Sequence, residues 1–237
     1  MTDTRDKRTY KTVKIGEQIW MAENLDYYDG SSRCYEDKTN YCKRDGALYN
    51  WTSAKRACPA GWHLPKDEEW ATLENTVGGA STAGTKLKAT SGWLDSTGKK
   101  PLNGTDDFGF SALPAGVSGV YVSSNGAPSK IFSKNGSVGS WWTASDKGND
   151  GFYRSISEAK SESASANKTN VYYSVRCVQG EAPTTKQAEK GQPKQTEQPK
   201  QQSSNENCSI TFPKKSCVSM PTGTCKMAGG KVVDKCP

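Results

Sequence analysis

The sequence predicts an α+β domain, loop-rich and stapled by disulfides, followed by a solvated linker and a small cysteine-rich unit. Three observations lead there. Leu, Ile, Val and Phe together supply only thirty of 237 residues, whereas there are seven Trp, ten Tyr and eight Cys. A chain poor in aliphatics but rich in aromatics and cysteine builds its core from large rings and covalent ties. Helical patterns come early and strand-like runs late, the order of an α+β fold rather than of alternating units. Finally, the composition changes abruptly after Val178-Gln179-Gly180.

Taken in order, Tyr10-Lys-Thr-Val-Lys-Ile15 alternates and reads as a strand. Gln18-Ile-Trp-Met-Ala22 reads as the next strand, with Gly16-Glu17 at the turn between them. Leu48, Tyr49, Trp51 and Ala54 form a short helical pattern that Pro59 and Gly61 stop. Asp67-Glu-Glu69 after Pro65 places carboxylates where a helix N-terminus prefers them. Trp70, Leu73 and Val77 then share one helical face, which Gly78-Gly79 ends. Beyond Trp93, Gly, Ser and Asn dominate. The clearest strand-like runs there are 139–143, 151–156 and 171–178.

From Glu181 to Asn207 there is no aromatic or branched aliphatic residue. Such a stretch cannot bury enough apolar surface to offset its ordering entropy and reads as a disordered Gln/Lys/Pro-rich linker. The domains expected are therefore 1–180, the linker 181–207, and a module at 208–237 carrying Cys208, Cys217, Cys225 and Cys236. Thirty residues need staples to fold, and two disulfides would provide them in any of three pairings. That basic unit fits surface binding and a stable terminal cap equally.

The formal charge is +7, divided as 23 basic against 20 acidic residues up to Gly180 and nine against five beyond it. Neither part holds a dense basic stripe interleaved with stacking aromatics, so a nucleic-acid partner is not expected. No run approaches the ~20 apolar residues that cross a bilayer as a helix. Eight cysteines without a Cys-x-x-Cys pair, and with a single histidine, argue for disulfides rather than zinc. The setting expected is therefore oxidising and exported, with any signal peptide absent from this sequence and Met1 not necessarily native.

Four segments carry a family resemblance. They are Val13-Lys-Ile-Gly-Glu-Gln-Ile-Trp-Met-Ala-Glu-Asn-Leu25, Cys58-Pro-Ala-Gly-Trp-His-Leu-Pro-Lys-Asp-Glu-Glu-Trp70, Asp107-Phe-Gly-Phe-Ser-Ala-Leu-Pro-Ala-Gly116 and Ser174-Val-Arg-Cys-Val178. In this order they resemble the Fibrobacter succinogenes major paralogous domain, over most of residues 3–180. The Gly61-Trp-His-Leu-Pro65…Glu-Trp70 element is also similar to one in the formylglycine-generating-enzyme group. The resemblance implies a C-type-lectin-like fold, with two helices on small antiparallel sheets and the N- and C-terminal strands adjacent. It also implies a secreted or surface-attached bacterial protein, often a lipoprotein. In such folds the first helix is tied to the last strand, which pairs Cys58 with Cys177 and leaves Cys34 to pair locally with Cys42.

The same segment can be read physically. Pro59 and Pro65 restrict the chain between two helices, Gly61 permits a turn, and Trp62, Leu64 and Trp70 anchor both helices to the sheet. His63 reads as a half-buried, hydrogen-bonded histidine, because no nearby residue offers it a catalytic or metal-binding partner. Catalysis is not expected. Catalytic relatives of the formylglycine-generating type use a late pair of copper-binding cysteines, and only Cys177 lies late here. Calcium-dependent sugar binding is also not favoured, for the Glu-Pro-Asn, Gln-Pro-Asp and Trp-Asn-Asp tripeptides of sugar-binding C-type lectins are missing. Asn103, Asp106 and Asp107 offer hard oxygens for calcium, or serve a turn. No other cofactor is expected.

The remaining candidates are aromatic. Trp141, Trp142, Tyr121, Tyr153 and Tyr172-Tyr173 lie in the loop-and-strand half. Adjacent residues of a strand face opposite sides, so one Trp is expected in the core and the other either exposed for stacking or buried too. The function expected is a non-catalytic adhesion or binding module of the cell surface. It would take a polysaccharide or a surface protein on loops between about 95 and 150, with the linker adding avidity. A structural component of a surface layer or filament is the alternative.

Overall fold

A computed structural model of the chain describes residues 1–122, 128–181, 218–219, 225–226 and 232–233. The chain divides into two compact units, Met1–Gly191 and Gln192–Pro237. The first unit begins with β1 (Thr12–Ile15) and β2 (Gln18–Met21), then a 3-10 turn (Tyr35–Asp37), α1 (Thr39–Asp45) and α2 (Trp51–Ala57). It continues with β3 (Trp62–His63), α3 (Asp67–Thr76) and α4 (Ala80–Leu87). The remaining strands are β4 (Val117–Val122), β5 (Pro128–Ser133), β6 (Gly139–Lys147), β7 (Asp150–Ile156), β8 (Ser161–Asn167), β9 (Val171–Tyr172) and β10 (Val178–Gln179). The architecture is α+β with small antiparallel sheets.

Three sheets build this unit, with strand orders β1-β2-β10-β3, β5-β4-β9 and β6-β7-β8. The first closes the domain: Val178 of β10 pairs with Trp20 of β2 on one side and His63 of β3 on the other. The β1–β2 hairpin turns at Gly16, whose φ of +60° suits glycine. The α2 helix starts at Asn50, whose side chain accepts from Ser53 N–H at 2.9 Å, and stops before Cys58 as the prolines require. The Glu69 carboxylate reaches back to Lys66 N–H at 2.9 Å and so covers a donor at the start of α3.

Four α-helices are present among the described residues, two more than expected. The α1 helix begins inside the Cys34–Cys42 loop and carries Cys42. The α4 helix follows α3 after Gly78-Gly79 and buries Ala83, Gly84 and Leu87. Both disulfides implied by the resemblance are formed, Cys34–Cys42 and Cys58–Cys177.

The core is rich in aromatics: its two larger parts lie on either side of β6, and a smaller third part joins Tyr35, Leu48, Ala115 and Tyr172. Trp141 joins Trp70, Trp20 and Phe110, with Trp70 4.8 Å from Trp20, 5.9 Å from Phe110 and 5.8 Å from Trp141. Trp142 points the other way, onto Tyr173 at 4.7 Å, and Tyr173 stacks on Tyr153 at 4.4 Å. Both faces of β6 are covered, so both Trp are 0% exposed. Each indole N–H has an acceptor: Trp141 donates to Asn24 Oδ1 (2.8 Å), Trp142 to the Tyr49 carbonyl (2.7 Å).

Arg154 and Arg176, both buried, lock the sheets. Arg154 of β7 donates to Asp67 and to Glu74, both at 2.7 Å, clamping α3 onto the β6-β7-β8 sheet. Arg176 is 0% exposed and pairs with no carboxylate among the described residues. It donates to Asn24 Oδ1 (2.8 Å), to the Ser111 carbonyl (2.6 Å) and to the Phe110 carbonyl, and it lies 4.3 Å from the Phe110 ring. Burial pushes its pKa down to about 9, against the fields of Asp106 and Glu23, so it stays a cation at neutral pH.

In the second unit the described residues form three short antiparallel strands, β11 (Val218–Ser219), β12 (Cys225–Lys226) and β13 (Val232–Val233), in that order. The linker from residue 182 onward and the pairing of Cys208, Cys217, Cys225 and Cys236 lie outside the described residues. Among the described residues no helix is long and apolar enough to cross a membrane.

Candidate functional site

The aromatic and acidic candidates do not converge on one site. Trp141 and Trp142 offer no stacking face, since both are core residues. Tyr153 is half-buried against Trp142 and Tyr173. The Asp106 carboxylate is spent within its own turn, accepting from Ser111 N–H at 2.7 Å and Ser111 Oγ at 2.6 Å, and Asn103 accepts from Trp93 N–H at 3.0 Å. Asp107 is exposed. Of the aromatic candidates only Tyr121, 48% exposed, reaches solvent freely. Among the described residues no three His, Cys, Asp or Glu side chains are placed to hold a metal ion.

His63 is held, as its half-buried position suggested. Its Nδ1 lies 2.9 Å from the Gly180 carbonyl and its Nε2 lies 2.9 Å from Glu69 Oε1. Both neighbours are acceptors, so only the imidazolium donates to both. Burial and the field of Lys66 lower its pKa, but the bonds to Glu69 and Gly180 outweigh them, and the net shift is upward from 6.5. A raised folded-state pKa means that this stabilisation is complete below the unfolded value of 6.5 and is lost as pH rises through the folded value. The melting temperature should therefore fall as pH rises above about 6.5, and His63→Gln should remove that fall. Parallel pH profiles for the two proteins would place the effect elsewhere.

The concave feature with an accessible aromatic lies instead in the N-terminal third. A groove of about 350 Å³ runs beside the Cys34–Cys42 bridge and is lined by Asp26, Tyr28, Ser32, Arg33, Thr39 and Lys43. Tyr28 is 74% exposed, the most exposed large hydrophobic side chain among the described residues. The floor is rigid. Tyr49 Oη donates to the Tyr27 carbonyl at 2.7 Å and accepts from Tyr27 N–H at 2.9 Å, and Arg5 stacks on the Tyr27 ring at 3.7 Å. The Asp29 carboxylate orders the next turn by accepting from Ser31 and Ser32 N–H, at 2.9 and 2.7 Å. Arg33 lies 3.6 Å over the Tyr172 ring and bridges this loop to β9. Asp26 is ion-paired with Arg8, and burial raises its pKa against that partner.

The sequence carried a signal for this groove in Tyr27-Tyr28-Asp29-Gly30-Ser31-Ser32, aromatics followed by turn residues directly ahead of a local disulfide. It lacks the adjacent tryptophans in a strand-like run that make Trp141-Trp142 conspicuous in the later half.

These features define a class: an α+β domain with an aromatic core, closed by a long-range disulfide and carrying an open groove on a short disulfide loop. The chain belongs to the Fibrobacter succinogenes major domain family, whose model matches residues 13–179. No curated protein and no solved structure matches it.

Proposed function

We propose that residues 1–180 form a non-catalytic binding module of the cell exterior, with a C-type-lectin-like fold, and that it takes a polysaccharide in the groove beside Cys34–Cys42. The observation that carries this is the exposed Tyr28 ring bordering a groove beside a disulfide, on a segment whose flanking residues are hydrogen-bonded. A flat, accessible aromatic on a rigid base binds at low entropic cost. The lectin-like reading is supported by β10 lying between β2 and β3, and by the bond from the end of α2 to Cys177. In this reading Cys177 serves as the partner of Cys58, and His63 ties Glu69 to the Gly180 carbonyl. An extracellular setting is supported by the two disulfides.

A second reading, a protein-interaction component of a surface layer or filament, is favoured by one feature. Tyr121 and Ile131 share a face of the β4–β5 hairpin, 48% and 47% exposed, and β5 is an edge strand.

Retention of the full chain on insoluble polysaccharides tests the two. Tyr28→Ala should abolish retention at unchanged melting temperature, and Tyr121→Ala should preserve it. Full retention by Tyr28→Ala removes the groove from the reading. Crosslinking to a surface protein that is lost in Tyr121→Ala, without polysaccharide retention, establishes the second reading in its place.

A further inference from the structure

The disulfide that borders the groove also organises its charge. Arg33 immediately precedes Cys34 and Lys43 immediately follows Cys42. The bridge holds those two cysteines with Cα atoms 5.0 Å apart, so it brings to one groove two cations that are ten residues apart in the chain.

Neither cation has a carboxylate partner among the described residues, while the carboxylates around them are taken. Asp26 pairs with Arg8, Glu36 with Lys38 (2.8 Å), Asp37 with Lys130 (2.7 Å) and Asp45 with Arg44 (2.6 Å). Asp29 is engaged by the N–H groups of its own turn. Arg33 is pre-oriented by its stacking on Tyr172, and its side-chain bond within the chain is a long one from Nη1 to Ser118 Oγ, 3.4 Å. Its guanidinium thus keeps donors for an incoming anion, and a planar fork suits a carboxylate. Lys43 is exposed and adds a point charge.

We propose that Arg33 and Lys43 form a carboxylate subsite, assembled by the Cys34–Cys42 bridge, and that the groove therefore selects acidic polysaccharides, those built from uronic acid residues, over neutral ones. The proposal rests on the polysaccharide reading above and adds the charge of the substrate. A sugar acid is favoured over an acidic peptide because the Tyr28 ring borders the same groove and offers a flat face to a sugar ring bearing the carboxylate.

The test uses the full chain, with an oligogalacturonide and the same oligosaccharide after reduction of its carboxyl groups, by titration calorimetry at low and high salt. The acidic form should bind at least about ten times tighter, and salt should narrow the difference. Lys43→Ala and Arg33→Gln should each weaken the acidic form by roughly ten-fold while leaving the reduced form unchanged, and Arg33→Lys should recover part of the loss. Cys34→Ala with Cys42→Ala should erase the preference. Melting curves identify variants that fail to fold; Lys43 is a surface residue, so its variant keeps the question open to test. Equal binding of the two forms, lost in Tyr28→Ala, overturns the acidic selectivity and leaves the polysaccharide reading standing. Binding of poly-glutamate with neither oligosaccharide overturns both, as does binding of none of the three.

Discussion

Removing the Cys58–Cys177 bridge, as Cys58→Ala with Cys177→Ala, should lower the stability of the domain by about 4–5 kcal/mol. The two cysteines are 119 residues apart in the chain. In the loop-entropy picture, a closure of that length excludes a large share of the unfolded ensemble. A single domain is stable by only about 5–15 kcal/mol, so this one bond accounts for a substantial part of the total. The bond also matters because of where it lies. It joins the end of α2 to the segment entering β10, and β10 is the strand that holds β2 and β3 together. The readout is urea unfolding of the double variant beside the parent, oxidised and with reductant. Reductant also opens Cys34–Cys42, so the parent and the double variant should become nearly equal when both are reduced. By contrast Cys34→Ala with Cys42→Ala, which opens a loop of eight-residue separation, should cost about 2–3 kcal/mol. A double variant at positions 58 and 177 as stable as the parent would show that aromatic packing alone holds the domain.

How much of this was legible in the sequence depended on whether the signal was local. The β1–β2 hairpin could be read because alternation and a glycine turn occur within ten residues. The α2 and α3 helices could be read because proline stops one and carboxylates begin the other. The α4 helix escaped because its sequence, Ala80-Ser-Thr-Ala-Gly-Thr-Lys-Leu87, has a glycine at its centre. Gly84 is there for a tertiary reason: a Cβ at that position would lie 2.5 Å from the Ala159 carbonyl carbon, so only glycine lets this helix pass so close. The β8 strand, Ser161–Asn167, escaped because it is an edge strand of Ser, Ala and Glu with little to bury. The two tryptophans show the same limit from the other side. Alternation correctly placed Trp141 and Trp142 on opposite faces of β6. Only the assembled fold reveals that Tyr173 and its neighbours cover the second face as fully as Trp70 covers the first. The groove was hidden for a similar reason, since Arg33 and Lys43 line one groove beside a bridge that pairs Cys34 with Cys42.

Replacing Arg176 should be among the most damaging single changes, costing about 4 kcal/mol or more as Arg176→Ala. The position combines the two main causes of large losses. Deleting the side chain leaves a cavity between Phe110 and Trp141, whose rings lie 4.3 and 5.8 Å from the guanidinium carbon. It also strips donors from Asn24 Oδ1 and the carbonyls of Phe110 and Ser111. Buried ionic groups are often replaceable by hydrophobic ones of similar volume, because the whole polar cluster leaves together and its desolvation cost leaves with it. That escape is closed here. The acceptors are mainly backbone carbonyls, which no substitution at 176 removes, so Arg176→Met should refill the volume yet recover only part of the loss. Arg176→Lys keeps the charge but gives up the planar fork that reaches several acceptors at once, and should fall between the parent and Arg176→Met. Urea unfolding at neutral pH ranks the series. Arg176→Met equal to or above the parent would show that the guanidinium is a net cost to the fold, and that the aromatic rings around it need only a filler of the right size.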